Sequence, residues 1–201
     1  METTADTVLS DPRWNAFLSQ GLTCSCGERH VGPFPIHLHQ PLGWTGPSAY
    51  ENDDALRMDG DFLSSSFCVM GGRYFAMRMS LPVQIRGADP TVFLYTVWAS
   101  LSRLDFEMIV RALRAGAEAP EQRVPARLLN RVGGYPDTYN LTGSAFPQAG
   151  ASLPVLLVHG LQANGANTHR LIVEQHGGIG MDRVLELFAA YNHEMRSQVS
   201  G

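Results

Sequence analysis

The chain contains no lysine: all fifteen of its basic residues are arginine. That excludes a Schiff-base lysine and a phosphate-loop lysine outright. Cysteine is nearly as scarce, with three in 201 residues. The count is odd and two of the three are one residue apart, so a secreted disulfide scaffold is not expected. Long apolar runs are missing too, none reaching the roughly 18 residues of a membrane span. Met1 to Asp11 carries three acids and no basic residue, unlike the positive end of a signal peptide. The expectation is a cytoplasmic protein with no membrane partner. Excess positive charge is also lacking: the net charge is −4 and the pI is near 5.9. A nucleic-acid partner would need a concentrated basic face, so none is expected.

What is present suits a folded globular chain. An apolar fraction of 44% with 17% charged residues is enough for a real core. Residues 1–201 read as one domain, with an N-terminal helix (1–21), a Cys/His knuckle (22–42) and an α+β core (62–196). Asp11 can cap a helix over Asp11 to Gln20, with Pro12 in the first turn and Trp14, Phe17 and Leu18 on one face. Leu22 to Leu42 is rich in Gly, Pro and His. Gly43 to Asp61 carries five acids and little periodicity, which is consistent with a loop that has room for a short helix.

Phe62 to Met70 and Tyr74 to Pro82 read as strands joined through Gly71-Gly72. Thr91 to Ser100 is dense in β-branched and aromatic residues and predicts a further strand. Leu104 to Ala115 switches to helical spacing, with Leu104, Met108, Ile109, Ala112 and Leu113 on one side. Ala117 to Val132 reads as a connector. Leu141 to Phe146, Val155 to Leu161 and His169 to Gln175 read as strands, and Met181 to Arg196 as an amphipathic helix. The fold class expected is α+β: a mainly antiparallel sheet with two or three packed helices.

The chemistry-bearing stretch is Thr23-Cys24-Ser25-Cys26-Gly27-Glu28-Arg29-His30. Thiolates beside an imidazole are zinc ligands, and alternate positions on an extended segment project to one side. His30 from the following turn and Cys68 from the first hairpin complete a candidate metal set of Cys24, Cys26, His30 and Cys68. His37 and His39 form a second same-face pair. Against this stands the ordinary fate of free cysteine as a small buried hydrophobe, and the spacing is C-x-C rather than C-x2-C.

Other motifs read blandly. Leu156-Leu157-Val158-His159-Gly160 resembles an oxyanion strand end, but no G-x-S-x-G elbow follows it, leaving a core strand with an edge histidine. His169 and Glu174, five apart, fall on opposite faces of a strand and make no acid-base pair. Tyr135-Pro136-Asp137-Thr138 reads as a turn. Gly177-Gly178-Ile179-Gly180 matches no phosphate-loop spacing and reads as a helix start.

Several pieces taken in order resemble one family: Cys26-Gly27-x-x-His30; Cys68-Val69 with Tyr74-Phe75-Ala76-Met77-Arg78 and Leu81-Pro82-Val83; Val97-Trp98-Ala99-Ser100-Leu101-Ser102 with Phe106; Tyr135-Pro136-Asp137-Thr138; and Thr168-His169 with Glu174-Gln175 and Gly178-Ile179. Over about residues 22 to 180 the chain resembles the bacterial domain of unknown function 2199 family, a resemblance that implies no particular activity. Family members look like C-x-x-C-G-x-x-H, whereas Thr23 stands at the first cysteine position here and Cys24 is displaced by one. The departure implies a metal site altered or lost.

The function expected is a non-catalytic cytoplasmic binding or accessory protein with a protein partner, in one form a toxin-neutralising immunity protein steered by its acidic surface. The alternative is a zinc-binding module or metal-dependent enzyme built on Cys24, Cys26, His30 and Cys68, with zinc as its cofactor. An exposed sheet edge offers a third expectation, a homodimer.

Overall fold

The computed structural model describes residues 7–115, 122–148, 153–159 and 169–196. A 3₁₀ turn at Val8–Ser10 leads into helix α1, Pro12–Ser19, where the Asp11 carboxylate accepts a hydrogen bond from the Arg13 amide. Trp14 and Phe17 form its buried face, while Leu18 is exposed. Gly21 ends this segment at φ +74, and a Cβ there would lie 2.7 Å from the His30 carbonyl oxygen. Only glycine allows the chain to turn so close to its neighbour. Strands β1 (Leu22–Cys24) and β2 (Arg29–His30) follow, then β3 (Ile36–His37), β4 (Phe62–Leu63) and β5 (Phe67–Met70). The predicted strand over Phe62 to Met70 is therefore two short strands. They fold back at Ser64, whose hydroxyl accepts from the Phe67 and Ser66 amides.

The centre is a barrel where an open sheet was expected. β6 (Tyr74–Gln84), β7 (Val92–Leu101), β8 (Val124–Leu128), β9 (Thr142–Phe146) and β10 (Val155–Val158) pair in turn as antiparallel neighbours. β10 then returns to β6 in parallel, with Val155 opposite Ser80, and closes five strands into a ring. β3 adds to β7, also in parallel, and β5 with β4 extends β6. The Ala117 to Val132 connector thus contains β8; its residues 117–121 lie outside the described part, as do Gly160 and Leu161 of the predicted Val155 to Leu161 strand.

Alternation along β6 and β7 sends Phe75, Met77, Met79, Leu81 and Val83 with Phe93, Tyr95, Val97 and Ala99 into one hydrophobic cluster. Opposite-facing Ala76 and Trp98 join Leu63, Cys68 and Leu129 in a second. The middle of β7, residues 95–99, is buried on both faces, which is why it reads as a near-continuous apolar run, whereas β6 alternates buried and half-buried positions over much of its length.

Four α-helices lie among the described residues: α1, α2 (Arg103–Ala115), α3 (Arg170–Gly177) and α4 (Met181–Ala189). α2 buries Phe106, Ile109 and Val110, but Leu104, expected inside, is exposed. α3 replaces the strand expected over His169 to Gln175. α4 stops well short of Arg196, and β11 (Met195–Arg196) follows it. β11 and β2 flank β1 in a separate three-stranded antiparallel sheet. No helix among the described residues is long and apolar enough to cross a membrane.

Candidate metal centre

β1 delivers Cys24 to a tight turn: its amide donates to the Glu28 carbonyl at 2.8 Å and its carbonyl accepts from the Gly27 amide at 3.0 Å. The turn folds Cys26 back until its amide lies 3.5 Å from the Cys24 sulfur. β2 then carries His30 beside it, with Nε2 3.3 Å from the Cys26 sulfur. A fourth group arrives from the far end of the chain. After α4 the His193 amide donates to the Phe188 carbonyl, and Asn192 adopts φ +61, a left-handed conformation that asparagine tolerates. His193 Nδ1 lies 3.4 Å from the Cys24 sulfur.

Ser25 fastens the two segments together. Its amide donates to the Glu194 carbonyl, and its hydroxyl donates to the Asn192 carbonyl while accepting from the Glu194 amide. Phe34 sets the imidazole planes, stacking on His30 at 4.3 Å between centroids and meeting His193 edge-on at 5.1 Å. Its other face stacks on Phe188.

The ligand atoms of Cys24, Cys26, His30 and His193 all lie within 4.8 Å of one another. Zinc bonds of roughly 2.0–2.3 Å arranged as a tetrahedron put neighbouring ligands about 3.6 Å apart. The measured 3.3 and 3.4 Å contacts are close to that edge length. Two sulfurs and two imidazole nitrogens form a donor set that suits a tetrahedral zinc ion. At Cys26 a backbone hydrogen bond with Glu28 draws the thiol down. Its hydrogen bond with Cys24, desolvation and the charges of Cys24 and Glu28 outweigh this and leave it above its ordinary value. A bound cation would reverse that balance and hold the thiolate.

Of the four residues marked by the sequence, three converge and Cys68 does not. Cys68 sits on β5 opposite Ala76 and Leu63, fully buried in the second hydrophobic cluster. Burial pushes its thiol up to about 12, so it is a neutral core residue. His193 replaces it. The predicted helix through Arg196 concealed this histidine, although Asn192, well suited to a left-handed helix end, signals the stop. The shift of cysteine from position 23 to 24 leaves a sulfur in the cluster.

Nor do the remaining motifs join the cluster. His37 bonds the Thr96 hydroxyl at 3.0 Å, and burial, then Arg78 and His39, lower its pKa. His159 is an exposed residue at the end of β10, 3.0 Å from the Ser144 hydroxyl, as an edge histidine should be. His169 caps α3 by accepting from the Leu171 amide. Glu174 pairs with Arg170 at 2.7 Å and with buried Arg183 at 3.0 Å. Asp137 accepts from the Tyr139 amide and from Arg131, which lower its pKa and fix the local turn.

No curated protein and no solved structure matches the chain. A family model described as an uncharacterized protein conserved in bacteria, DUF2199, matches residues 23–179. The match takes in Cys24, Cys26 and His30 and ends before His193. The chain belongs to the bacterial DUF2199 family.

Proposed function

We propose that this is a zinc-binding protein in which Cys24, Cys26, His30 and His193 hold one structural ion. The observation that carries the reading is the convergence of four soft or borderline ligand atoms within 4.8 Å, drawn from both ends of the chain. Four protein ligands fill a tetrahedron and leave no position for water or substrate, which marks a closed structural site. This supports a non-catalytic accessory role over a metal-dependent enzyme. Such an ion would tie the knuckle to the residues after α4, where the Ser25 hydrogen bonds already hold the two segments in register.

Elemental analysis of protein purified without chelator is expected to give one zinc per chain, retained through dialysis. Cobalt substitution is expected to give the intense visible bands of a tetrahedral thiolate site. The reading is overturned if the protein retains no metal and cobalt produces no such spectrum.

A further inference from the structure

Away from the metal centre, the turn between β5 and β6 faces the loop at residues 139–140 across a cleft of about 780 Å³. A second hollow of about 350 Å³ adjoins it and shares Ser100 and Arg127. Volumes of this order, roughly 300–1,000 Å³, accommodate a small-molecule ligand.

Two features of the cleft suit a ligand. Arg73 and Arg127 both line it, and among the described residues neither forms an ion pair, in a chain whose acids outnumber its arginines. Arg127 reaches only the Asn140 side-chain oxygen, at 3.5 Å. The carboxylate in the lining, Asp61, accepts from the Gly71 amide at 2.6 Å and so braces the turn. The second feature is apolar. Of the nine large apolar side chains exposed among the described residues, three, Leu42, Tyr74 and Tyr139, line this one cleft. Tyr74 is 66% exposed.

The sequence places these groups deliberately close. Gly71 and Gly72, both at positive φ, turn the hairpin so that Arg73 and Tyr74 stand at its base. Register puts Ser100 of β7 directly opposite Arg127 of β8, so the hydroxyl and guanidinium share the cleft floor. Guanidinium groups bind phosphate or carboxylate through paired N–H donors, and tyrosine rings stack on planar groups.

We propose that this cleft binds a small anionic ligand with a planar ring. Its phosphate or carboxylate lies between Arg73 and Arg127, and its ring lies against Tyr74 and Tyr139. Adenosine monophosphate serves as the probe, with adenosine and inorganic phosphate separating the ring from the anion, measured by calorimetry at low salt. AMP is expected to bind more tightly than either fragment. The Arg73→Gln/Arg127→Gln double variant is expected to weaken AMP about tenfold or more. Arg111→Gln, outside the cleft, is expected to leave it unchanged, and Tyr74→Ala to weaken AMP while sparing phosphate. The altered residues are exposed, so an unchanged melting temperature verifies folding. Saturable phosphate binding that the double variant loses also supports the anion seat. Three results overturn the proposal: no saturable binding of either AMP or phosphate, adenosine binding as tightly as AMP, or AMP affinity indifferent to the double variant. None of these readouts depends on the metal.

Discussion

At the scale of the residue, the three cysteines divide by environment. Cys24 and Cys26 meet imidazole nitrogens at 3.4 and 3.3 Å, whereas Cys68 is packed in an apolar cluster with Leu63, Ala76, Trp98 and Leu129. Substitution separates the roles. His193→Ala is expected to abolish retained zinc, because three ligands with an open position hold the ion far less firmly than four. Cys68→Ser is expected to keep the full zinc content and to cost about 1–3 kcal/mol of stability, from a hydroxyl buried without a partner. Metal analysis alongside chemical denaturation checks both. Loss of zinc from Cys68→Ser, or its retention in His193→Ala, would contradict the assignment. Cys24, Cys26 and His30 were legible in the sequence because they share one turn. His193 stands 169 positions from its partner Cys24, and only the folded chain brings them together.

At the scale of the element, α3 forms where a strand was expected. Leu171-Ile172-Val173 looks like a strand, yet Leu171, Ile172 and Gln175 take a helical i, i+1, i+4 spacing and are the buried residues. His169 caps the start, and Gly178 at φ +75 ends it. The helix form has a consequence for the barrel. β10 meets β6 at one register pair, Val155 opposite Ser80, which leaves a gap in the ladder beyond it. Gln175 reaches into the gap: its carbonyl oxygen accepts from the Val158 amide, and its NH₂ donates to the Leu156 and Pro82 carbonyls. One side-chain amide thus substitutes for missing ladder bonds at the closing seam. Gln175→Leu conserves much of the volume but strands three buried backbone groups, an expected loss of about 2–4 kcal/mol. A melting temperature unchanged from the parent would show that the seam needs no such bridge.

At the scale of the molecule, local patterns revealed the long strands and α2 but not their closure into a ring. Closure depends on β10 finding β6 and on β8 lying within a Pro- and Arg-containing stretch, Val124–Leu128, whose alternation is short. The same nonlocality governs the metal centre. β1 holds β2 on one side and β11 on the other, so the ion would fasten the beginning of the fold to its end. The main hydrophobic cluster, from Val8 to Phe188, forms without any ligand contribution, so the barrel is expected to survive metal removal while stability falls. An ion that binds only the folded chain stabilises it by about 4 kcal/mol when free zinc exceeds its dissociation constant a thousandfold. In a chain of this length each kcal/mol moves the midpoint by roughly 2–4 °C, so strong chelation should lower it by about 8–16 °C. A Cys24→Ser variant should start from the lower midpoint and show no further response to chelator or zinc. A parent protein whose midpoint is indifferent to chelation would mean that the four ligands meet without holding an ion.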